Sequence, residues 1–320
     1  MSDRGARLVV VLFVAFTLLV DLKGHGQTNQ ETRSAAVLFK QFESVAFTKS
    51  HFLSGFDAQN PNDQNSEADL RFPFLEFMGA IRYLGPGAES DLENGYGAFM
   101  VGAKDFAPPG GLGPIRSQKC YIGVLTSGSQ PDIEHDFDRA AKTSVDGRQV
   151  WMWPVAPVKE DQARMYAAQV SGSYFVMANN LRDFRQAVEG LTSIESLTPA
   201  AIGVLGWKAF GTHEYWAYRM FRRNGNTESE MASGVGSVSQ DVVAFAFFAD
   251  LDKRESFIQV FSSDATMKTE PKAFLPKSES DRLQPLGHGI WQARIPLSED
   301  EVKNDSLFRV FYLLGFGLFV

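Results

Sequence analysis

Short apolar segments separated by tight polar turns recur along this chain of 320 residues and limit the folds open to it. Residues 165–170 and 174–178 flank the tripeptide Ser171-Gly172-Ser173, a spacing that is typical of a β-hairpin. Asp146-Gly147 gives a second tight-turn signal, just before the apolar segment 149–155. Parallel strands need crossovers of about a dozen residues or more. Strands joined by such short turns are therefore predicted to pair antiparallel.

Helical patterns alternate with these strands. Residues 31–42 carry apolar side chains at helical spacing, and Asn180 has the side chain of an N-cap before the amphipathic segment 181–191. Residues 133–142 and the aromatic-rich segment 206–223 are also predicted to be helical. Further strands are predicted at residues 95–101, 120–126, 242–249, 256–262, 289–296 and 307–320.

Together these elements predict an α+β fold with predominantly antiparallel sheets and packed helices, which could form two related lobes. The N-terminal lobe would cover residues 27–191 and the C-terminal lobe residues 204–320. A single large domain is the alternative, since the chain has ample apolar residues for one core.

The first 26 residues have the composition of a secretory signal peptide. Arg4 and Arg7 precede the apolar run 8–20, and Gly24-His25-Gly26 offers small residues for cleavage after Gly26. The apolar run is about 13 residues long, whereas a spanning helix needs about 20. We therefore expect an exported chain with no membrane span after cleavage. A retained segment that anchors the protein is the alternative.

The net charge and the cysteine content limit the partners and the cross-links that this chain can have. The net charge is −7, which disfavours nucleic acid as a partner because such binding depends on clustered Lys and Arg. Cys120 is the only cysteine, so the exported chain cannot form an intramolecular disulfide and must rely on its core. Its apolar neighbours predict a buried strand residue.

Motifs of the common enzyme classes are absent from the sequence. It contains no Gly-x-Ser-x-Gly, Ser-x-x-Lys, His-Glu-x-x-His or Gly-x-x-x-x-Gly-Lys pattern, and its Gly-x-Gly pairs lack the third glycine of a dinucleotide fingerprint. No cofactor is predicted.

Two histidine-containing segments are the candidates for chemistry. His135 lies among carboxylates, of which Asp132 and Asp136 would share one face of a helix and could bind a metal ion. His213 and Glu214 could supply an acid–base pair. The structural interpretation is simpler for both segments: a solvated acidic helix turn in the first, and an amphipathic helix in the second.

Trp151 and Trp153 form a third candidate site. Alternation along a strand places both indoles on one face of a sheet, where they could bind a sugar or a peptide. They could equally cover a core.

These observations favour an exported, soluble, non-catalytic protein of a bacterial envelope that binds a ligand or supports an assembly. Its expected partner is another envelope protein or a small molecule. The alternative is an envelope hydrolase whose site uses His135 or His213 with nearby carboxylates.

Overall fold

The computed structural model describes residues 29–49, 72–74, 77, 95–106, 116–125, 140–154, 164–193, 213–220, 242–250, 255–262, 283–287, 289–296 and 314. These residues include two complete α-helices, α1 (Asn29–Gln41) and α2 (Leu181–Thr192), and a short 3-10 turn at Phe72–Phe74. The strands are β1 (Ser44–Lys49), β2 (Tyr96–Phe106), β3 (Arg116–Leu125), β4 (Ala141–Val145), β5 (Arg148–Pro154), β6 (Arg164–Val170), β7 (Tyr174–Ala178), β8 (Tyr215–Met220), β9 (Val242–Asp250), β10 (Glu255–Ser262), β11 (Gln284–Gly287) and β12 (Ile290–Pro296).

All of these strands belong to one sheet, in the order β11-β12-β10-β9-β8-β1-β2-β3-β7-β6-β5-β4. Each described pair of neighbours is antiparallel. The predicted α+β class is therefore wrong: the described part of the chain is mostly one large antiparallel sheet, with two short helices on it. The division at residues 27–191 and 204–320 stays a prediction.

Strand β8 gives one physical reason why the predicted fold class is wrong. The aromatic segment 206–223 was predicted to be helical, but residues 215–220 are a strand between β1 and β9. Tyr215 and Trp216 point to opposite faces of the sheet, and both are buried. A strand covered on both faces shows no apolar–polar alternation, so its sequence resembles a buried helix.

The other strand predictions have mixed outcomes. Strands are confirmed in the segments that overlap β2, β3, β5, β9, β10 and β12. The predicted helix 133–142 is wrong at its end, because residues 141 and 142 belong to β4. Most of that segment, and all of the predicted strand 307–320 except Leu314, lie outside the described residues.

Two tight turns form where the sequence predicts them, and the first joins two strands although a helix is predicted before it. Asp146 and Gly147 join β4 to β5 with φ values of 52° and 76°, and Ser171 and Gly172 begin the turn from β6 to β7 with φ values of 52° and 67°. Positive φ at two successive residues matches the twist of the flanking strands. The turns thereby set the register of both hairpins.

The sheet has two buried faces. The helix face carries Val45, Met100 and Ile122 and is packed against α1 and α2. The opposite face carries Val101 and Tyr121 and belongs to a second hydrophobic cluster. Alternation along each strand places neighbouring residues on different faces.

Helix α1, which the sequence predicts, packs on β1, β2 and β3 and contacts β8 through the ring of Phe39. The ring of Phe39 stacks on Trp216 at 6.0 Å, and Phe47 of β1 stacks on the same indole at 5.5 Å. Phe39 also makes an edge contact of 5.5 Å with Tyr218, whose pKa burial raises to about 12. Aromatic packing therefore links α1, β1 and β8.

Helix α2 begins at the N-cap that the sequence predicts. The side-chain oxygen of Asn180 accepts hydrogen bonds from the backbone N–H groups of Arg182 and Asp183, at 2.9 and 3.2 Å. These bonds satisfy two donors that have no partner inside the helix.

Replacing Asn180 with alanine should therefore lower the free energy of unfolding by about 1 kcal/mol, because both donors lose their acceptor. Urea unfolding followed by circular dichroism measures the effect. Asn180→Asp is the matched control, since it keeps an acceptor at the cap. Equal losses in the two variants would contradict the capping role.

Candidate functional site

An ion pair with a buried carboxylate and a partly exposed ammonium lies on the helix face beside the single cysteine. Lys104 Nζ of β2 is 2.7 Å from Asp183 Oδ1 in the first turn of α2. The Asp183 side chain is 1% exposed and that of Lys104 is 29% exposed. The Lys104 ammonium also lies 5.0 Å from the ring centroid of Phe42. We call Phe42, Lys104, Cys120 and Asp183 the ion-pair cluster.

The ion-pair cluster makes Cys120 a poor nucleophile. Burial raises the pKa of the Cys120 thiol, the Asp183 carboxylate raises it further, and Lys104 acts in the opposite direction. Thiolates, not thiols, attack disulfides and alkylating agents. The predicted burial of Cys120 is confirmed, and the arrangement supports a structural role for this side chain.

We therefore expect Cys120 to remain unmodified by a thiol reagent such as iodoacetamide while the protein is folded, and to react once urea unfolds it. Intact-mass measurement along a urea titration checks this, with labelling following the unfolding transition. Rapid labelling in the absence of urea would contradict a closed helix face at this position.

A second ion pair holds α1 to the sheet. Lys49 Nζ of β1 is 2.7 Å from Glu31 Oε1, and the Glu31 side chain is 5% exposed. Arg33 donates to the carbonyl oxygen of Gly190 near the end of α2, at 3.4 and 3.3 Å from Nε and Nη2. A cation there is favourable because the carbonyl end of a helix is partially negative. The two helices are thus bound to the sheet and to each other by charged groups.

His213 and Glu214 immediately precede β8. The His213 ring contacts Phe248 of β9, with 4.9 Å between ring centroids. The Glu214 carbonyl oxygen accepts a hydrogen bond of 3.2 Å from the Lys49 backbone N–H. Tyr215 follows in the chain, and complete burial raises its pKa well above the usual range. Both candidate side chains are half-buried, and their predicted catalytic role stays a prediction.

Trp151 and Trp153 of β5 lie together on the opposite face, as alternation requires. Their strand neighbours are Ala167 and Met165 on β6. The two tryptophans are 6% and 3% exposed, so their surfaces are within the hydrophobic cluster. Their predicted role in ligand binding stays a prediction. A ligand could contact the two indoles only by displacing side chains of that cluster.

The remaining candidates, His135, Asp132 and Asp136, lie outside the described residues. Within the residues that are described, no group of three His, Cys, Asp or Glu side chains is arranged to hold a metal ion. No helix in the same part of the chain has both the length and the apolar character needed to cross a membrane.

Sequence reasoning missed the ion pair between Lys104 and Asp183. The two residues are 79 positions apart, and neither lies in a recognisable motif. One local signal was present: Asp183 falls in the first turn of a well-predicted helix, where its charge is favourable. Its partner depends on the order of β2, β3 and β7 in the sheet.

No protein-family model matches this chain, and no curated protein matches it. Among solved structures, crystal form III of TP0453 is similar with a TM-score of 0.44 and 8% identity, over 83% of this chain and 96% of that one. Crystal form I of TP0453 gives a TM-score of 0.41 and 9% identity, over 85% of this chain and 97% of that one. Crystal form IV gives 0.39 and 9%, over 82% and 92%.

Proposed function

We propose that this chain is an exported protein of a bacterial envelope that has no catalytic role and binds a ligand or supports an assembly there. The observation that carries the proposal is the N-terminal segment, where two arginines, an apolar run and a small-residue site follow one another within 26 residues. The first described helix starts at Asn29, so cleavage after Gly26 leaves α1 complete.

The state of Cys120 supports the same proposal. An exported chain passes into an oxidising compartment, where an accessible single thiol forms mixed disulfides. Cys120 is fully buried and its pKa is raised, so it is protected from that chemistry. The fold is held instead by its two hydrophobic clusters and by the ion pairs of α1 and α2.

Export predicts a defined mature N-terminus. We expect the protein recovered from the envelope fraction of a bacterial host to begin at Gln27, because peptidase cleavage after Gly26 removes the signal. Intact-mass measurement identifies that start. Val14→Arg places a charge in the centre of the apolar run and should leave the full-length chain in the cytoplasm. A chain that keeps Met1 in the membrane fraction would indicate an anchor and contradict cleavage.

Native mass spectrometry of the recovered protein tests the binding half of the proposal. A small molecule or protein that remains bound identifies the partner directly. A chain that is recovered bare, and whose hydrolytic activity is lost when His213 is replaced with alanine while its fold is retained, would favour the hydrolase instead.

A further inference from the structure

Strand β4 is the last strand of the described sheet, and one of its edges is open among the described residues. Among the described strands it is hydrogen-bonded only to β5. Ala141, Lys142 and Ser144 are exposed, and Thr143 and Val145 are half-buried. An exposed strand at the end of a sheet presents backbone donors and acceptors to any chain that can pair with it.

The hairpin turn determines which backbone groups of β4 face outward. Asp146 and Gly147 form a two-residue turn, so the flanking pair Val145 and Arg148 exchanges hydrogen bonds within the hairpin. Such pairs alternate along an antiparallel ladder. The N–H and C=O groups of Lys142 and Ser144 are therefore directed away from β5, toward the open edge.

At the other end of the sheet, the last strand has features that interrupt pairing. Strand β11 contains Pro285, which has no N–H to donate, and its register with β12 shifts between Pro285 and Gly287. Gly287 has a φ of 90°, which interrupts the extended backbone. Short strands and charged side chains such as that of Lys142 weaken edge pairing, whereas proline and bulges interrupt it. The described residues of β4 contain neither.

We propose that β4 pairs antiparallel with β4 of a second copy of this chain, about a twofold axis at Thr143. The outward groups of Lys142 then bond to those of Ser144 in the second copy, and the reverse pair adds the same bonds. Thr143 of one copy lies opposite Thr143 of the other. Ala141 lies opposite Val145 on the helix face of the joined sheets.

Side-chain complementarity favours this occupant and this register. Each directly opposed pair is compatible: threonine with threonine, alanine with valine, and lysine with serine. A twofold axis at residue 142 would instead place Lys142 opposite Lys142, and like charges directly opposed are unfavourable. An axis at residue 144 would bring Asp146 into the ladder, and its φ of 52° belongs to the turn rather than to a strand. The same surface patch serves both copies, as a twofold interface requires. The inference rests on the edge strand and is independent of export.

The interface is small, because only five residues of each chain pair. Interfaces of stable complexes bury about 1,200 Å² or more, so this contact is expected to be weak and concentration-dependent. Covalent trapping is therefore the suitable test. Thr143→Cys places two thiols directly opposite each other in a pair that is not hydrogen-bonded, at a Cα separation of about 4.5 Å that allows a disulfide. The native Cys120 is buried and does not compete.

Ser144→Cys is the matched control. It lies on the same strand and is more exposed, but in the proposed register the two Ser144 residues are diagonal neighbours, about 7 to 8 Å apart. Mild oxidation of the full chain should give at least tenfold more disulfide-linked dimer for Thr143→Cys than for Ser144→Cys. Equal yields, or no dimer from Thr143→Cys in protein whose circular dichroism is native, would overturn the proposal.

A second variant tests the pairing without a cysteine. Ser144→Pro removes an outward N–H and leaves the hydrogen bonds between β4 and β5 in place. In sedimentation velocity, the unmodified chain should sediment faster as its concentration rises, and this variant should not. A concentration-dependent dimer that persists in folded Ser144→Pro would place the interface elsewhere and overturn the proposal.

Discussion

Replacing Lys104 with methionine should lower the free energy of unfolding by about 3 to 5 kcal/mol, since it leaves a buried carboxylate without its counterion. Methionine keeps an unbranched apolar side chain at this position, so the loss measures the ammonium with its contacts to Asp183 and to the Phe42 ring. Asp183 is almost completely buried, and its Oδ2 has no hydrogen-bond partner among the described residues. Removing the ammonium therefore takes away the partner of Oδ1 as well. Urea unfolding followed by circular dichroism gives the free energy.

An exposed ion pair supplies the matched control. Arg185 Nε is 3.0 Å from Asp146 Oδ2, but the two side chains are 51% and 67% exposed. Arg185→Met should change the stability by about 0.5 kcal/mol or less, because exposed pairs contribute little. A Lys104→Met variant that loses no more than Arg185→Met would show that the buried pair does not support the fold.

The reverse substitution should cost less. Asp183→Asn leaves the cation of Lys104, which is 29% exposed and can turn toward water. In the double variant Lys104→Met and Asp183→Leu, apolar groups replace both charges, and much of the stability should return. A double variant as unstable as Lys104→Met alone would mean that packing around Asp183, rather than its charge, is the source of the loss.

Replacing Gly102 with alanine should cost about 3 kcal/mol, because the added methyl group overpacks the helix face. A Cβ at this position would lie 2.4 Å from Phe42 Cδ2 and 3.1 Å from Leu38 Cδ2. Gly102 is paired with Val45 on one side and with Cys120 on the other, so its backbone cannot move away. The aromatic ring must shift, and α1 must shift with it.

The same substitution in α2 is the control. A Cβ at Gly190 would meet Val37 Cγ2 at 2.8 Å, but Gly190 lies near the end of α2 rather than in a strand that is paired on both sides. Alanine also stabilises a helix by about 1 kcal/mol relative to glycine. Gly190→Ala should therefore cost much less than Gly102→Ala. In a Phe42→Ala background the cost of Gly102→Ala should fall below half. A cost that is the same with and without the ring would contradict the overpacking argument.

Local structure could be predicted from the sequence wherever a few neighbouring residues determine it. Asp146-Gly147 and Ser171-Gly172 adopt positive φ values that suit tight hairpins, and Asn180 is followed by backbone N–H groups that it can cap. Residues 31–42 have an apolar stripe that is sufficient to identify α1. In each case the cause lies within a few positions of the residue.

The arrangement of the sheet could not be predicted in this way. β8 is buried on both faces, so its aromatic sequence carries no period of two. β4 was missed for a different reason: it is short, polar and exposed, and its first two residues continue a segment with a helical pattern.

The candidate site residues were predicted only in part. The contact between Lys104 and Asp183 depends on the order of three strands. The alternation along β5 correctly predicts that Trp151 and Trp153 share one face, but it does not predict how deeply they are buried.

The central position of β1 has a consequence for how the chain folds. β1 is hydrogen-bonded to β2 on one side and to β8, at residues 215–219, on the other. During synthesis, β1 emerges long before β8, so one of its edges stays unpaired while the intervening strands follow. Contacts between residues so distant in sequence slow folding, and unpaired edges promote aggregation. We expect a late, slow docking step in which β8 joins β1, and a need for protection of the nascent chain until it occurs.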